Sequence, residues 1–105
     1  MGQAAEVAAD QALMRSGVDP VFFVRRGVAL DVQGRTAEAE TMFGQAVKLA
    51  PTRASVWYNY AFHLSIDPAR TTQARAAVDY CLRLDPGNRE AQALRERLAG
   101  ESRDR

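Results

Sequence analysis

The side chains that could do chemistry are few. His63 is the only histidine and Cys81 the only cysteine. A metal centre held by His63 would want further ligands at close helical spacing. The residue one turn back is Asn59, a poor ligand, and the chain has no HxxxH and no CxxC. His63 therefore reads as a solvated or hydrogen-bonded surface residue. A single cysteine excludes an internal disulfide. A reactive thiolate needs a cationic or helix N-terminal setting; Cys81 falls late in a helical pattern, at a position that wants a small apolar group, and reads as a buried core thiol. Ser16, Ser55, Ser65 and Ser102 lack the strained-turn context that presents a nucleophile. The glycines are scattered and form no phosphate-cradling loop. These residues predict no enzyme, no metal and no cofactor.

The elements around them are helical, and residues 21–51, VFFVRRGVALDVQGRTAEAETMFGQAVKLAP, organise the rest. Phe23, Gly27 and Leu30 share one helical stripe; Ala39, Phe43 and Ala46 share another. Gly34 lies between them, where a chain reversal wants a residue free to take positive φ. Pro51 closes the second helix. Ordering each residue costs ~1–2 kcal/mol, so two helices this short need neighbours.

A copy follows. Trp57, Ala61 and Leu64 repeat Phe23, Gly27 and Leu30 at a shift of 34 (57−23, 61−27, 64−30). Ala74, Val78, Cys81 and Pro86 repeat Ala39, Phe43, Ala46 and Pro51 at a shift of 35 (74−39, 78−43, 81−46, 86−51). One residue is inserted, and the turn SIDPARTT is where it must lie, because turns absorb insertions and packed helices do not.

An aromatic, a small residue four on, a large one three further, then Ala-x3-large-x2-small and a closing Pro, resembles the tetratricopeptide repeat. The resemblance covers residues 20–88, two full repeats with partial matches at both ends. It implies an all-α fold: about six helices as antiparallel hairpins in a short right-handed stack. Arg26 departs from it, standing where the family usually has Leu; either its stem lies along the packing surface with the head in water, or the first helix sits differently. In this family the first helices line an inner wall that carries a bound peptide. Carried over, that wall takes Val21, Val24, Arg25, Val28, Asp31 and Val32 from the first repeat. From the second it takes Ser55, Tyr58, Asn59, Phe62, Ser65 and Ile66. Val24, Val28, Tyr58, Phe62 and Ile66 would then form an exposed apolar strip, the kind of patch that marks a partner site. Asn59 matches a position whose amide often meets the ligand backbone, donating and accepting at once. The family's carboxylate clamp is not supported, since its lysine-type positions are Val24 and Glu90 here; Arg25 is left to serve an acidic group. The competing expectation is that a terminal helix folds into the groove and these residues are core.

Length and charge bound the class of protein. The chain has 105 residues, 14 basic against 13 acidic, for a net charge of +1. That predicts one small domain with no global pull toward nucleic acid or anionic membrane. Lys48 is the only lysine, and the arginine excess reads as compositional bias. No apolar run approaches a membrane span. Met1-Gly2 would begin a myristoylation signal only with Ser or Thr at position six, which is Glu6. With no basic-then-apolar leader the cytoplasm is the default.

The expected layout is a single domain over residues 1–99. An Ala-rich helix within 1–17 covers the N-terminal edge, with repeats at 20–53 and 54–88. A polar-faced capping helix spans 89–99, with Ala91, Leu94 and Leu98 inward, and 100–105 is a tail. Asp19-Pro20 opens the first repeat. Thr36 is expected to cap the helix to Leu49, Ser55 or Thr52 the next, and Thr71 or Thr72 the one through Leu84. The expected function is a non-catalytic adaptor or chaperone-like module that binds an apolar peptide or helix of a partner protein. The alternative is a structural module that pairs with a second copy into a homodimer or scaffold.

Overall fold

Asp19 and Pro20 start the first helix as their chemistry dictates. Asp19 is extended (φ −72°, ψ 127°) and its Oδ1 accepts from the Val21 amide at 3.0 Å, while Pro20 takes the first helical position, where no amide is needed. The computed structural model describes residues 18–103; the Ala-rich helix expected within 1–17 lies outside them. Five α-helices follow in order: α1 Pro20–Val32, α2 Thr36–Leu49, α3 Ala54–Ser65, α4 Thr71–Leu84 and α5 Arg89–Arg103, with a 3₁₀ turn Pro68–Arg70 before α4. Among the described residues there are no strands, so the fold is all-helical. None of the described helices is long and apolar enough to cross a membrane. The chain divides into two units between Ala50 and Pro51.

In the first unit α1 and α2 form a hairpin. Gly34 turns the chain at φ +78°, the left-handed region that favours glycine. The Arg35 amide then reaches back to the Leu30 carbonyl at 2.9 Å and satisfies one end of α1. Phe23, Gly27, Leu30, Ala39, Phe43 and Ala46 are all buried, so both predicted stripes face inward. Gly27 is required by close approach: a Cβ built there would lie 2.8 Å from the edge of the Phe43 ring.

The second unit repeats the hairpin and adds a helix. Its helices begin 34 and 35 residues after their counterparts (54−20 and 71−36). The extra residue is absorbed between them, in the turn that Asp67 caps by accepting from the Ala69 amide at 3.0 Å. Ala61, Leu64, Ala74, Val78 and Cys81 are buried, and Trp57 packs partly buried against them. The Trp57 indole donates to the Pro51 carbonyl at 2.8 Å, a bond that Phe23 has no means to make. The copies trade volume at matching positions: Gly27 lies against Phe43 in one, and Ala61 and Val78 share the buried core of the other. α5 closes the core through Ala91, Leu94 and Leu98. Its start is fixed by Asn88, whose Oδ1 accepts from the Ala91 amide at 2.9 Å.

Several local expectations are corrected. Arg35, Arg53 and Arg70 occupy the cap positions of α2, α3 and α4, and none of the three makes a side-chain cap bond. Thr36 and Thr71 are already helical, and the Thr71 hydroxyl donates to the Pro68 carbonyl at 2.8 Å. Ser55 lies inside α3, Thr52 lies in the turn before it, and Thr72 lies inside α4. α5 continues through Gly100 to Arg103, past the expected end at Ala99, helped by the i,i+4 pair of Arg97 and Glu101 at 3.8 Å.

Cys81 is buried, and burial pushes its thiol above the ordinary 9.0, with the Asp85 carboxylate adding to the effect and a backbone hydrogen bond at Tyr58 opposing it. The folded thiol thus holds its proton more tightly than the unfolded one. Its contribution to stability is fully present below the unfolded value and is lost as pH rises through the folded one. Tyr58, also raised by burial first, acts in the same sense at higher pH. Urea melts at neutral pH and at about pH 10 should show lower stability at the alkaline point, and Cys81→Ala should flatten the difference. A stability that does not fall on the alkaline side would contradict the burial of this thiol.

Candidate functional site

α3 carries more than one buried face, and this decides which of its side chains stay open. Ala61 and Leu64 enter the core of the second unit. Val56 and His63, seven residues apart on another face, are also buried, with His63 only 3% exposed. The expectation of a surface histidine is therefore wrong. It fails because a helix buried on two sides shows no single polar face to which His63 could be assigned. Among the described residues no group of three or more His, Cys, Asp or Glu could hold a metal ion.

The remaining face carries the residues predicted for binding. Tyr58 and Phe62 stand one turn apart with ring centroids 6.3 Å apart, tilted by 45°. Tyr58 is half-buried against the core that α5 completes, whereas Phe62 is 44% exposed and Ile66, at the end of α3, is 61% exposed. Ser65, expected on the wall, is buried instead. Its hydroxyl donates to the Phe62 carbonyl at 2.6 Å and accepts from Arg97 Nη2 at 2.8 Å. Asn59 is half-buried and its Nδ2 donates to the Ser55 carbonyl at 2.8 Å. That leaves Oδ1 as the acceptor of the amide and one Nδ2 hydrogen beyond this bond.

Arg97 is the residue that sequence reasoning missed. Its guanidinium lies 5.8 Å from the centre of the Phe62 ring while it donates to Ser65. The Tyr58 phenol is raised above its ordinary 10.0 by burial first and then by the Glu90 carboxylate, with the Arg97 cation opposing. α5 thus brings one cation and one carboxylate to the border of the aromatic pair. The available signal was position: Arg97 follows Leu94 by three and precedes Leu98, at the edge of the buried stripe, where a long stem runs along its neighbours.

In the first unit α1 holds the other predicted residues. Val24 is half-buried, Arg25 is exposed and Val28 is 47% exposed. Arg25 borders a shallow hollow of about 500 Å³ that Val21, Phe22 and Arg26 also line. Phe22, which the sequence reading left unassigned, is exposed and meets Phe23 edge-on at 5.4 Å. Arg26 is exposed beside it, consistent with a stem on the surface and a head in water.

No protein-family model matches the chain, and no curated protein matches it.

Proposed function

We propose that this chain is a short tetratricopeptide-type array that holds an apolar segment of a partner protein, without catalysis. In this reading the residues that meet the partner are Val24, Arg25 and Val28 of α1 and Tyr58, Asn59, Phe62 and Ile66 of α3. The observation that carries it is the exposure of Phe62 next to half-buried Tyr58, on a helix whose other large side chains are mostly turned inward. An aromatic left this open loses ~1.5–3 kcal/mol of burial that a partner side chain would restore. Asn59 supplies register to the partner backbone, and Arg25 and Arg97 favour a carboxylate near the apolar anchor.

A peptide selected from a random display library against the full chain provides the ligand. The Phe62→Ala, Asn59→Ala double variant should bind it at least about tenfold more weakly, with the helical circular dichroism unchanged. Equal affinity in the double variant would sink the proposal. Light scattering across a concentration series runs alongside it. A mass that doubles would assign the strip to a second copy of the chain instead.

A further inference from the structure

The geometry points to a second docking surface in the second unit, on α3 and α4 away from Tyr58 and Phe62, that takes an acidic peptide segment anchored by an aromatic side chain. A hollow of about 420 Å³ opens there, walled by Trp57, Tyr60 and Tyr80 over Ala77. The Trp57 and Tyr80 rings lie 4.6 Å apart at 50°, and Trp57 and Tyr60 lie 6.2 Å apart at 56°. Such a volume accepts one large side chain with its flanking backbone.

The charge around the hollow selects the partner. Arg70 and Arg83 stand at its rim, and among the described residues lining it none carries a carboxylate. The Arg83 guanidinium lies 5.3 Å from the centre of the Tyr80 ring, one wall of the hollow. Arg70 Nε already donates to Gln73 Oε1 at 2.6 Å; a cationic ligand would still meet the like charge of both arginines, whereas a segment with Asp or Glu beside its anchor meets the exposed Arg83 guanidinium.

The fold does not require this arrangement. At the matching positions of the first hairpin Tyr60 becomes Arg26 (60−34), Tyr80 becomes Gln45 (80−35) and Arg83 becomes Lys48 (83−35). The first hairpin packs the same buried stripes without that aromatic wall. Two tyrosines at positions where the copy manages without them need another reason to be there.

Trp57 is the only tryptophan, so its emission reports on the hollow directly. The probe is a heptapeptide of glutamates and aspartates around a central phenylalanine, titrated into the full chain to millimolar concentration. Two controls replace the phenylalanine by alanine or the acids by lysines. The inference expects a saturable change in Trp57 emission with the first peptide and at least about tenfold weaker binding of both controls. It also expects a similar loss in Arg83→Glu, whose exposed side chain can change without disturbing the core. No saturable response, a lysine peptide that binds as well, or an Arg83→Glu chain that binds undiminished would each overturn it. A heptapeptide response abolished by Phe62→Ala and untouched by Arg83→Glu would overturn it too, by assigning the peptide to the other face.

Discussion

Phe43→Ala should lower the stability of the first hairpin by ~3–5 kcal/mol, because the ring is buried and its removal leaves a cavity. Whole small domains hold only ~5–15 kcal/mol, so much of the first unit's helical signal should melt near room temperature. The partner substitution carries a sharper expectation. Gly27→Ala in the native chain drives a methyl to 2.8 Å from the Phe43 ring. That overpacking costs ~1–3 kcal/mol and outweighs the ~1 kcal/mol that alanine gains over glycine inside a helix. With Phe43→Val already in place the methyl has room, and Gly27→Ala should become stabilising by up to ~1 kcal/mol. That pair reproduces Ala61 and Val78 of the second hairpin. Urea denaturation of the four chains of this cycle gives the coupling. A Gly27→Ala cost that is the same in both backgrounds would show that the two positions do not face each other.

Leu98→Ala should have the second large effect, ~2–5 kcal/mol, concentrated in the second unit. α5 is mostly polar and is held through Ala91, Leu94 and Leu98, all of them buried. Beyond that stripe Arg97 donates to the buried Ser65 hydroxyl at 2.8 Å, and Arg95 Nε meets Asp79 Oδ1 at 3.4 Å in an exposed pair of a kind that contributes ~0–1 kcal/mol. A helix of this length is marginal in water by itself. Hydrogen exchange should therefore show the amides of residues 89–103 losing protection in Leu98→Ala while those of α2 keep theirs. Unchanged protection in α5 would contradict its dependence on this one stripe. The consequence reaches the candidate site, because α5 carries Arg97 to Phe62 and Ser65.

The helices and their inward stripes were legible because one physical signal repeats. Phe23, Gly27 and Leu30 recur as Trp57, Ala61 and Leu64, and in the structure these positions meet their hairpin partners with only Trp57 left partly open. The inserted residue was legible for the same reason, since a helix cannot take it and the turn built on Asp67-Pro68 can. The caps were less legible. Ser and Thr are common near helix starts, but only the one residue just before the first helical position can cap, and Arg35, Arg53 and Arg70 hold those positions here. His63 was misread because its burial comes from a second face of α3, which no single stripe reveals. The bond between Ser65 and Arg97 was beyond a reading by periodicity, since it spans 32 residues and depends on how α5 lies against α3.

The most direct test of the proposed wall is a nuclear magnetic resonance titration of the isotope-labelled chain with the display-selected peptide. The account predicts that the methyl signals of Val24 and Val28 and the ring signals of Tyr58 and Phe62 shift along one saturation curve as the peptide binds. Shifts confined to one hairpin, or gathered around Phe22 or Trp57 with Phe62 unmoved, would contradict it.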